Sequence, residues 1–295
     1  MNYIACIFLK EGIKNKQQSP MEGVDYHTVD SGIQYINTYL KKGISNFLIF
    51  GSTNIKSIEH ACTKGAINEF IIKSKEKFGN NISLFADVGL SPYTSNGHSV
   101  IIKEGIIDEK ESYRQALNLA LSFAKSGVDY VCPCLSLPNQ VEVLRKGLDR
   151  KGFNKTKIMD YSAKFSSALY GPYRATVQSP LEGKDKKPYQ TDYSNPDKAL
   201  NQIKVAEKQG ANIVMVKPAM LYLDIIYRAR QMTKLPLAVY HISGEYILIK
   251  SACKNKLLDE KEIFNEVHSA FKRAGAEYTI GYAPDHFLRW KNERW

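Results

Sequence analysis

The stretch Lys208–Pro218, KQGANIVMVKP, contains the pattern from which the fold of this chain can be predicted. It starts at the basic end of a helical pattern, passes Gly210 and continues as an apolar run that ends in Lys217. A glycine directly after a helix accommodates the left-handed backbone conformation found there. The apolar run is continuous, which is typical of a strand that is covered on both faces of its sheet. The stretch therefore predicts a helix, a tight turn and a buried strand.

The same succession of basic helix end, glycine and apolar strand occurs three more times. The three stretches are KKGISNFLIFG, KSGVDYVCPC and RAGAEYTIGYA, and their glycines are Gly43, Gly127 and Gly275. Apolar runs elsewhere complete a set of eight predicted strands, near residues 3–9, 46–51, 83–88, 130–134, 156–163, 211–217, 236–242 and 278–283. Helical periodicity fills the intervals between them.

Eight strands that alternate with helices in a chain of this length predict an α/β protein with the (β/α)8 TIM-barrel fold. A doubly wound open sheet is the alternative, but the chain has no G-x-G-x-x-G or G-x-x-x-x-G-K-[ST] phosphate loop. No change of composition and no Pro/Gly/Ser linker divides the sequence, so we expect one barrel domain over residues 1–295.

The composition limits the partners and the compartment. The net charge of +11 comes from scattered lysines instead of a basic block, so we expect no nucleic-acid partner. No apolar run approaches the ~18–20 residues of a membrane span, and we expect no membrane partner. The N-terminus enters strand-like sequence without a signal-peptide pattern, and the five cysteines are odd in number and scattered. Both features favour a cytoplasmic protein.

Two connections are longer than the others, at residues 89–107 after strand three and 171–193 after strand five. In a TIM barrel both leave the C-terminal end of the strands, where active-site loops lie. The second is long enough to act as a lid loop.

Two lysines are expected at this end of the barrel. Lys217 ends strand six, and Lys164 lies just past the end of strand five. Each ammonium disfavours the charge on the other, and the apolar surroundings act in the same direction, so we expect at least one neutral amine near pH 7. A neutral lysine amine forms a Schiff base with a ketone. The alternative is a lysine that only reaches water at a strand end, and the residues around Lys217 alone leave both interpretations open.

Four separated motifs give the chain a family resemblance: ADVGLSPYTSNGH, YSAKFSSALYGPYR, VMVKPAMLYLDII and AVYHISGEY. Together, and in this order, they resemble porphobilinogen synthase (5-aminolaevulinate dehydratase), with a likeness that runs from about Cys6 to the end of the chain. The resemblance implies a TIM-barrel lyase of porphyrin and heme biosynthesis. Such an enzyme condenses two molecules of 5-aminolaevulinate into porphobilinogen through Schiff bases on two lysines.

The resemblance also implies roles for single residues. Lys217 matches the principal Schiff-base lysine, Lys164 the second one, and Asp87 an active-site aspartate. A further group matches residues that bind the two substrate carboxylates: Arg174, Lys186 and Gln190 for one, Ser243 and Tyr282 for the other. The family has arginine where this chain has Lys186, and lysine keeps the charge but not the bidentate fork.

The chain departs from the family in its metal loop. Zinc-type members have three cysteines there and other members use aspartates, whereas this chain has Gly89, Ser91 and Ser99. Because zinc prefers thiolate, imidazole or carboxylate, we expect a metal-independent enzyme without catalytic zinc. Cys132 and Cys134 share one face of strand four and are an alternative thiolate pair, although buried structural thiols are the commoner case.

Two more residues bear on metal binding. His98, in the same loop, is expected to be structural or solvent-facing and not a metal ligand. A non-catalytic magnesium or monovalent ion stays open, but Gln209 stands where many members have a glutamate for allosteric magnesium.

Strand four and the N-terminus differ as well. Cys134 and Leu135 stand where the family commonly has a serine and an active-site aspartate, so one candidate for proton transfer is lost. We expect Lys186 or other lid lysines to supply the missing electrostatic help. A relative that acts on another aminoketone, or a non-catalytic ligand-binding barrel, is the alternative. The family's N-terminal arm is not recognisable, which favours a dimer over an octamer.

Overall fold

Eight parallel strands close into a barrel, which confirms the predicted (β/α)8 fold. The first strand pairs with the last, in register from Asn2 opposite Tyr278 to Ala5 opposite Gly281. The strands are β1 Asn2–Lys10, β2 Asn46–Ser52, β3 Ser83–Val88, β4 Tyr130–Pro133, β5 Lys157–Lys164, β6 Ile213–Lys217, β7 Leu237–Tyr240 and β8 Tyr278–Gly281. All eight coincide with the strands predicted from the sequence.

The computed structural model describes residues 1–179, 181 and 186–293. The middle of the predicted lid loop and the last two residues of the predicted C-terminal helix lie outside these ranges. The described helices are α1 Val29–Lys41, α2 Ile58–Thr63, α3 Ala66–Phe78, α4 Glu109–Lys125, α5 Gln140–Arg150, α6 Gly171–Thr176, α7 Pro196–Lys208, α8 Leu223–Met232, α9 Ser243–Lys254, α10 Glu260–Ala274 and α11 Pro284–Asn292. Each of these helices is too short or too polar to span a bilayer.

The four glycines that were used to predict the fold adopt the expected backbone conformation. Gly43, Gly127, Gly210 and Gly275 have φ of 95°, 95°, 96° and 107°, in the left-handed region that glycine tolerates without strain. Each follows a helix and releases the chain into the next barrel strand. The strands that follow are buried on both faces, as their continuous apolar runs indicated.

Short strands and single helical turns lie outside the eight barrel strands. The strands Gln17–Gln18 and Asp25–His27 pair antiparallel, and the latter also pairs with β1. The long connection after β3 contains the hairpin Ile102–Lys103 and Ile106–Ile107. Single turns of 3-10 helix lie at Gly79–Asn81, Ala168–Tyr170 and Met220–Tyr222.

Strand β5 is irregular on both of its sides. It pairs with β4 through only two residue pairs, Tyr130 with Lys157 and Val131 with Ile158, so the two strands part before their C-terminal ends. Towards β6, two residues of β5 oppose one of β6 between the pairs Val214–Asp160 and Val216–Ala163. Such a bulge redirects the side chains that follow it. Lys164 and Tyr161, three positions apart, therefore line the same cavity, whereas a regular strand would place them on opposite faces.

Candidate active site

A cavity at the C-terminal end of the barrel brings six of the predicted site residues together. They are Asp87, Lys164, Arg174, Lys186, Gln190 and Lys217. β3 supplies the aspartate, and β5 and β6 supply the two lysines that are predicted to form Schiff bases. Arg174 lies on α6, and the other two residues follow it in the lid segment. The parallel strands thus present their carboxyl ends to one site, as the fold requires.

Lys217 is almost fully buried and lies directly opposite Lys164 in the register of β5 and β6. Its Nζ is 4.1 Å from the centre of the Tyr240 ring and 4.7 Å from that of Tyr161. Burial, followed by the charge of Lys164, lowers the pKa of Lys217 to about 8. An appreciable fraction of this amine is therefore neutral near neutral pH and can attack a carbonyl.

Lys164 is also buried, but its Nζ is occupied. It donates a hydrogen bond of 2.7 Å to the backbone carbonyl of Cys134, at the end of β4. That carbonyl lies where β4 and β5 have already separated, so a side chain replaces the missing backbone partner. The second lysine thus spans the gap between two barrel strands.

Asp87 lies beside both lysines at the end of β3. Burial raises the pKa of its carboxyl group, while the charges of Lys217 and Lys164 oppose the rise. The thiol of Cys134 lies 3.9 Å from Asp87 Oδ2 and donates towards it. A buried carboxyl group next to two amines is suited to accept and return protons during Schiff-base chemistry.

Lys186 reaches into the cavity from the lid segment and is 8% exposed. Its Nζ donates a 3.1 Å hydrogen bond to Ser99 Oγ in the loop after β3. Burial, followed by the charge of Lys164, lowers the pKa of Lys186 to about 7. The amine of a lid residue therefore contacts the loop after β3, which corresponds to the metal loop of the family that the sequence resembles.

Gln190 and Arg174 complete the polar wall. Gln190 is buried, and its side-chain oxygen has no hydrogen-bond partner among the described residues. Arg174 is half-buried in the same cavity, on α6. The unpartnered amide oxygen can accept from a substrate N–H or O–H group, and the guanidinium in the same cavity can donate to a substrate carboxylate.

Ser243 and Tyr282 are near the cavity, but they are not part of its lining. Ser243 Oγ accepts a 3.0 Å hydrogen bond from the backbone N–H of Tyr173 at the underside of α6. The hydroxyl of Tyr282 lies 2.9 Å from that of Tyr240, whose ring contacts Lys217. Their role in binding the second carboxylate therefore stays a prediction, and it requires the Ser243 hydroxyl to exchange its partner.

The prediction of no zinc site concerns the loop after β3, where this chain has Gly89, Ser91 and Ser99. Among the described residues, no group of three or more His, Cys, Asp or Glu side chains is close enough to hold an ion. A Cβ built on Gly89 would lie 2.4 Å from Asp87 Oδ2 and 2.8 Å from Cys134 Sγ, so that pair fills the space of a side chain there. His98 contacts the hydroxyl of Tyr189 at 3.1 Å, which agrees with a structural role.

The sequence interpretation missed several aromatic residues of the cavity. Tyr161, Tyr170 and Tyr173 all line it, and their rings lie 4.7, 5.5 and 5.6 Å from the Nζ of Lys217. Their only sequence signal is their position around the two lysine motifs. The aromatic faces can stabilise a cationic iminium as well as an ammonium.

Comparisons with known proteins agree with this geometry. A family model described as delta-aminolevulinic acid dehydratase matches residues 1–290. The enzyme of that name from Archaeoglobus fulgidus is 37% identical over 95% of this chain and 88% of its own length. Its namesake from Helicobacter pylori is 38% identical, with the same coverage.

A solved structure resembles the barrel over nearly its whole length. It is delta-aminolevulinic acid dehydratase (porphobilinogen synthase) from Toxoplasma gondii in complex with the reaction product porphobilinogen. The TM-score is 0.94 at 32% identity, and the match covers 98% of this chain and 84% of the other. A dihydropteroate synthase from Yersinia pestis, at 11% identity and a TM-score of 0.56, shares the fold alone.

Proposed function

The chain belongs to the delta-aminolevulinic acid dehydratase family, and we propose that it condenses two molecules of 5-aminolaevulinate into porphobilinogen with loss of two waters. The observation that carries this proposal is the pair of buried lysines, Lys217 and Lys164, in register at the barrel mouth. Two amines match two ketone substrates, and the cavity also contains basic and amide groups for a carboxylate.

The first substrate is captured by Lys217. Its neutral amine attacks the ketone carbon, and the carbinolamine loses water to give an iminium. Asp87 is the nearest described carboxyl group in the cavity and moves protons to and from the departing oxygen. The tyrosine faces around Nζ stabilise the positive charge of the iminium.

The second substrate is captured by Lys164, whose amine is held by the carbonyl of Cys134 before it reacts. Arg174, Lys186 and Gln190 bind this substrate's carboxylate or polarise its reacting end. One carbon–carbon and one carbon–nitrogen bond then join the two substrates. Water leaves twice over the whole reaction, and both lysine amines are released.

We further propose that the reaction needs no metal ion, and that Lys186 supplies positive charge at the second substrate. Support comes from the missing ligand set and from the contact of Lys186 with Ser99 in the former metal loop. The test is colorimetric detection of porphobilinogen in enzyme dialysed against a strong chelator. We expect full activity after dialysis, and a loss that added zinc restores would contradict metal independence.

The pH dependence of kcat/KM should be bell-shaped, with its optimum between about 7 and 8. Lys217 must be neutral, so the rate rises as the pH increases through its pKa of about 8. Lys186 must be charged, so the rate falls as the pH increases through its pKa of about 7. Because arginine stays protonated, Lys186→Arg should remove the alkaline decline. An unchanged alkaline limb in that variant would assign it to another group.

A second candidate keeps the lysines but changes the substrate. The structure places Cys134, not a carboxylate, at the end of β4 beside Asp87, and Leu135, the position of the family's aspartate, is fully buried. Borohydride reduction of the protein with 5-aminolaevulinate separates the candidates. An adduct on Lys217 without pyrrole formation would favour another aminoketone or a binding role, and no adduct would exclude 5-aminolaevulinate as substrate.

The expected dimer and the expected cytoplasmic location stay predictions. Light scattering of the purified protein measures the first, and cell fractionation measures the second. An octamer would contradict the first prediction.

A further inference from the structure

Lys56 connects three separate loops at the mouth of the barrel. Its Nζ donates to the backbone carbonyls of Thr53 at 3.1 Å, Pro92 at 3.0 Å and Gln178 at 2.9 Å. The three carbonyls belong to the loop after β2, the loop after β3 and the segment that follows α6. An ammonium has three donors, and each of them is used on a different segment of backbone.

The contact with Gln178 lies at a junction, where the end of α6 meets the neighbouring loops. Other hydrogen bonds also stabilise this junction. Ser179 Oγ donates to the carbonyls of Ser91 and Gly97, both at 3.2 Å, and so binds the same loop after β3. The carbonyl of Thr176, the last residue of α6, accepts from the hydroxyls of Tyr26 at 2.6 Å and Ser52 at 3.2 Å.

This junction lies next to Arg174, a residue that lines the cavity. The helix α6 has only six residues and cannot hold its own position, since isolated short helices are marginal. Arg174 is on this helix and lines the cavity, two residues before Thr176. Lys56 itself is partly buried and is not among the residues that line the cavity, so it can influence the substrate only through the backbone that it holds.

We propose that Lys56 is a positioning residue, which holds the end of α6 against the loop after β3 and thereby fixes Arg174 for the second substrate. The inference rests on the proposed function for the identity of the substrate. It concerns a residue outside the cavity, and it predicts a defect in the capture of the second substrate and not of the first.

The steady-state test compares Lys56→Met with Lys64→Met, an exposed lysine directly after α2. Lys56→Met has no ammonium, so it loses the hydrogen bonds that join the loop after β3 to the segment after α6. A small displacement of Arg174 is then costly for substrate positioning. We expect a half-saturating substrate concentration about tenfold higher, with kcat changed less than about threefold. Lys64→Met should match the unmodified protein, and Lys56→Arg, which keeps several donors, should recover part of the affinity. An unchanged half-saturating substrate concentration together with a lowered Tm would show that Lys56 only stabilises the fold. That result would overturn the inference.

Trapping with borohydride provides a readout that does not depend on pyrrole formation. Mass spectrometry of the reduced protein follows the adducts on Lys217 and Lys164 separately as the substrate concentration rises. In Lys56→Met we expect an unchanged curve for Lys217 and a curve shifted about tenfold for Lys164. A protein that traps both adducts but makes no porphobilinogen would refute the proposed function and still test this inference. Equal shifts of both curves, or no shift, would overturn it.

A double-mutant cycle provides an independent check. Lys56 and Ser179 hold the same two segments, so Lys56→Met and Ser179→Ala should be non-additive in half-saturation. Strictly additive effects would show that the two residues act on different elements, which contradicts a common junction.

Discussion

Lys217→Ala should abolish porphobilinogen formation, with kcat lowered by at least about 10³-fold, or about 4 kcal/mol in activation free energy. In the proposed reaction this amine forms the first covalent bond with the substrate. Tyrosine rings contact it, with the Tyr240 ring centre 4.1 Å from Nζ, and Asp87 and Lys164 line the same cavity. Colorimetric assay and borohydride trapping measure the loss, and the adduct at this position should disappear as well.

The matched control for this prediction is Lys217→Arg. It keeps a positive charge at the end of β6 but has no amine that can form a Schiff base under these conditions. We expect it to be as inactive as the alanine variant, whereas Lys103→Ala, on the exposed hairpin after β3, should be fully active. Activity in Lys217→Arg would mean that the residue acts by its charge alone.

The second large effect is expected at the lid. Lys186→Met removes the ammonium that contacts Ser99 and should lower kcat/KM by about 10²-fold, because the second substrate loses a buried positive charge. Lys186→Arg restores the charge and should recover most of the activity. Steady-state kinetics with and without added zinc measure both variants. If zinc rescued Lys186→Met, the loop after β3 would bind metal after all.

The structure explains why these two residues differed in how well they could be predicted. Strand ends and glycine caps follow from local sequence, and the eight strands fell where the apolar runs indicated them. Lys217 ends one of these runs, so its place at the mouth followed from the fold. The contact of Lys186 with Ser99 joins segments 87 residues apart and depends on how the lid folds back. No pattern within either segment encodes it.

Irregular backbone geometry explains most of the other features of the site that could not be predicted from the sequence. The bulge in β5 directs Tyr161 and Lys164 into the same cavity, although strict alternation predicts opposite faces. The differences from the metal loop of the resembling family were evident in the sequence, but the packing around them was not. Gly89 leaves room that Asp87 and Cys134 now fill, and a cysteine restored there would collide with both side chains. A single Gly89→Cys substitution would therefore require Asp87 and Cys134 to move.

The parting of β4 and β5 has a consequence for the timing of the reaction. Lys164 Nζ is engaged with the Cys134 carbonyl at 2.7 Å, whereas among the described residues Lys217 Nζ is surrounded by ring faces. No hydrogen bond to a described residue restrains the amine of Lys217, whereas the amine of Lys164 is restrained by one. The two identical substrate molecules should therefore enter in a fixed order, Lys217 first. One substrate molecule would be bound covalently before its co-substrate arrives, and the restrained amine of Lys164 would be used only for the second.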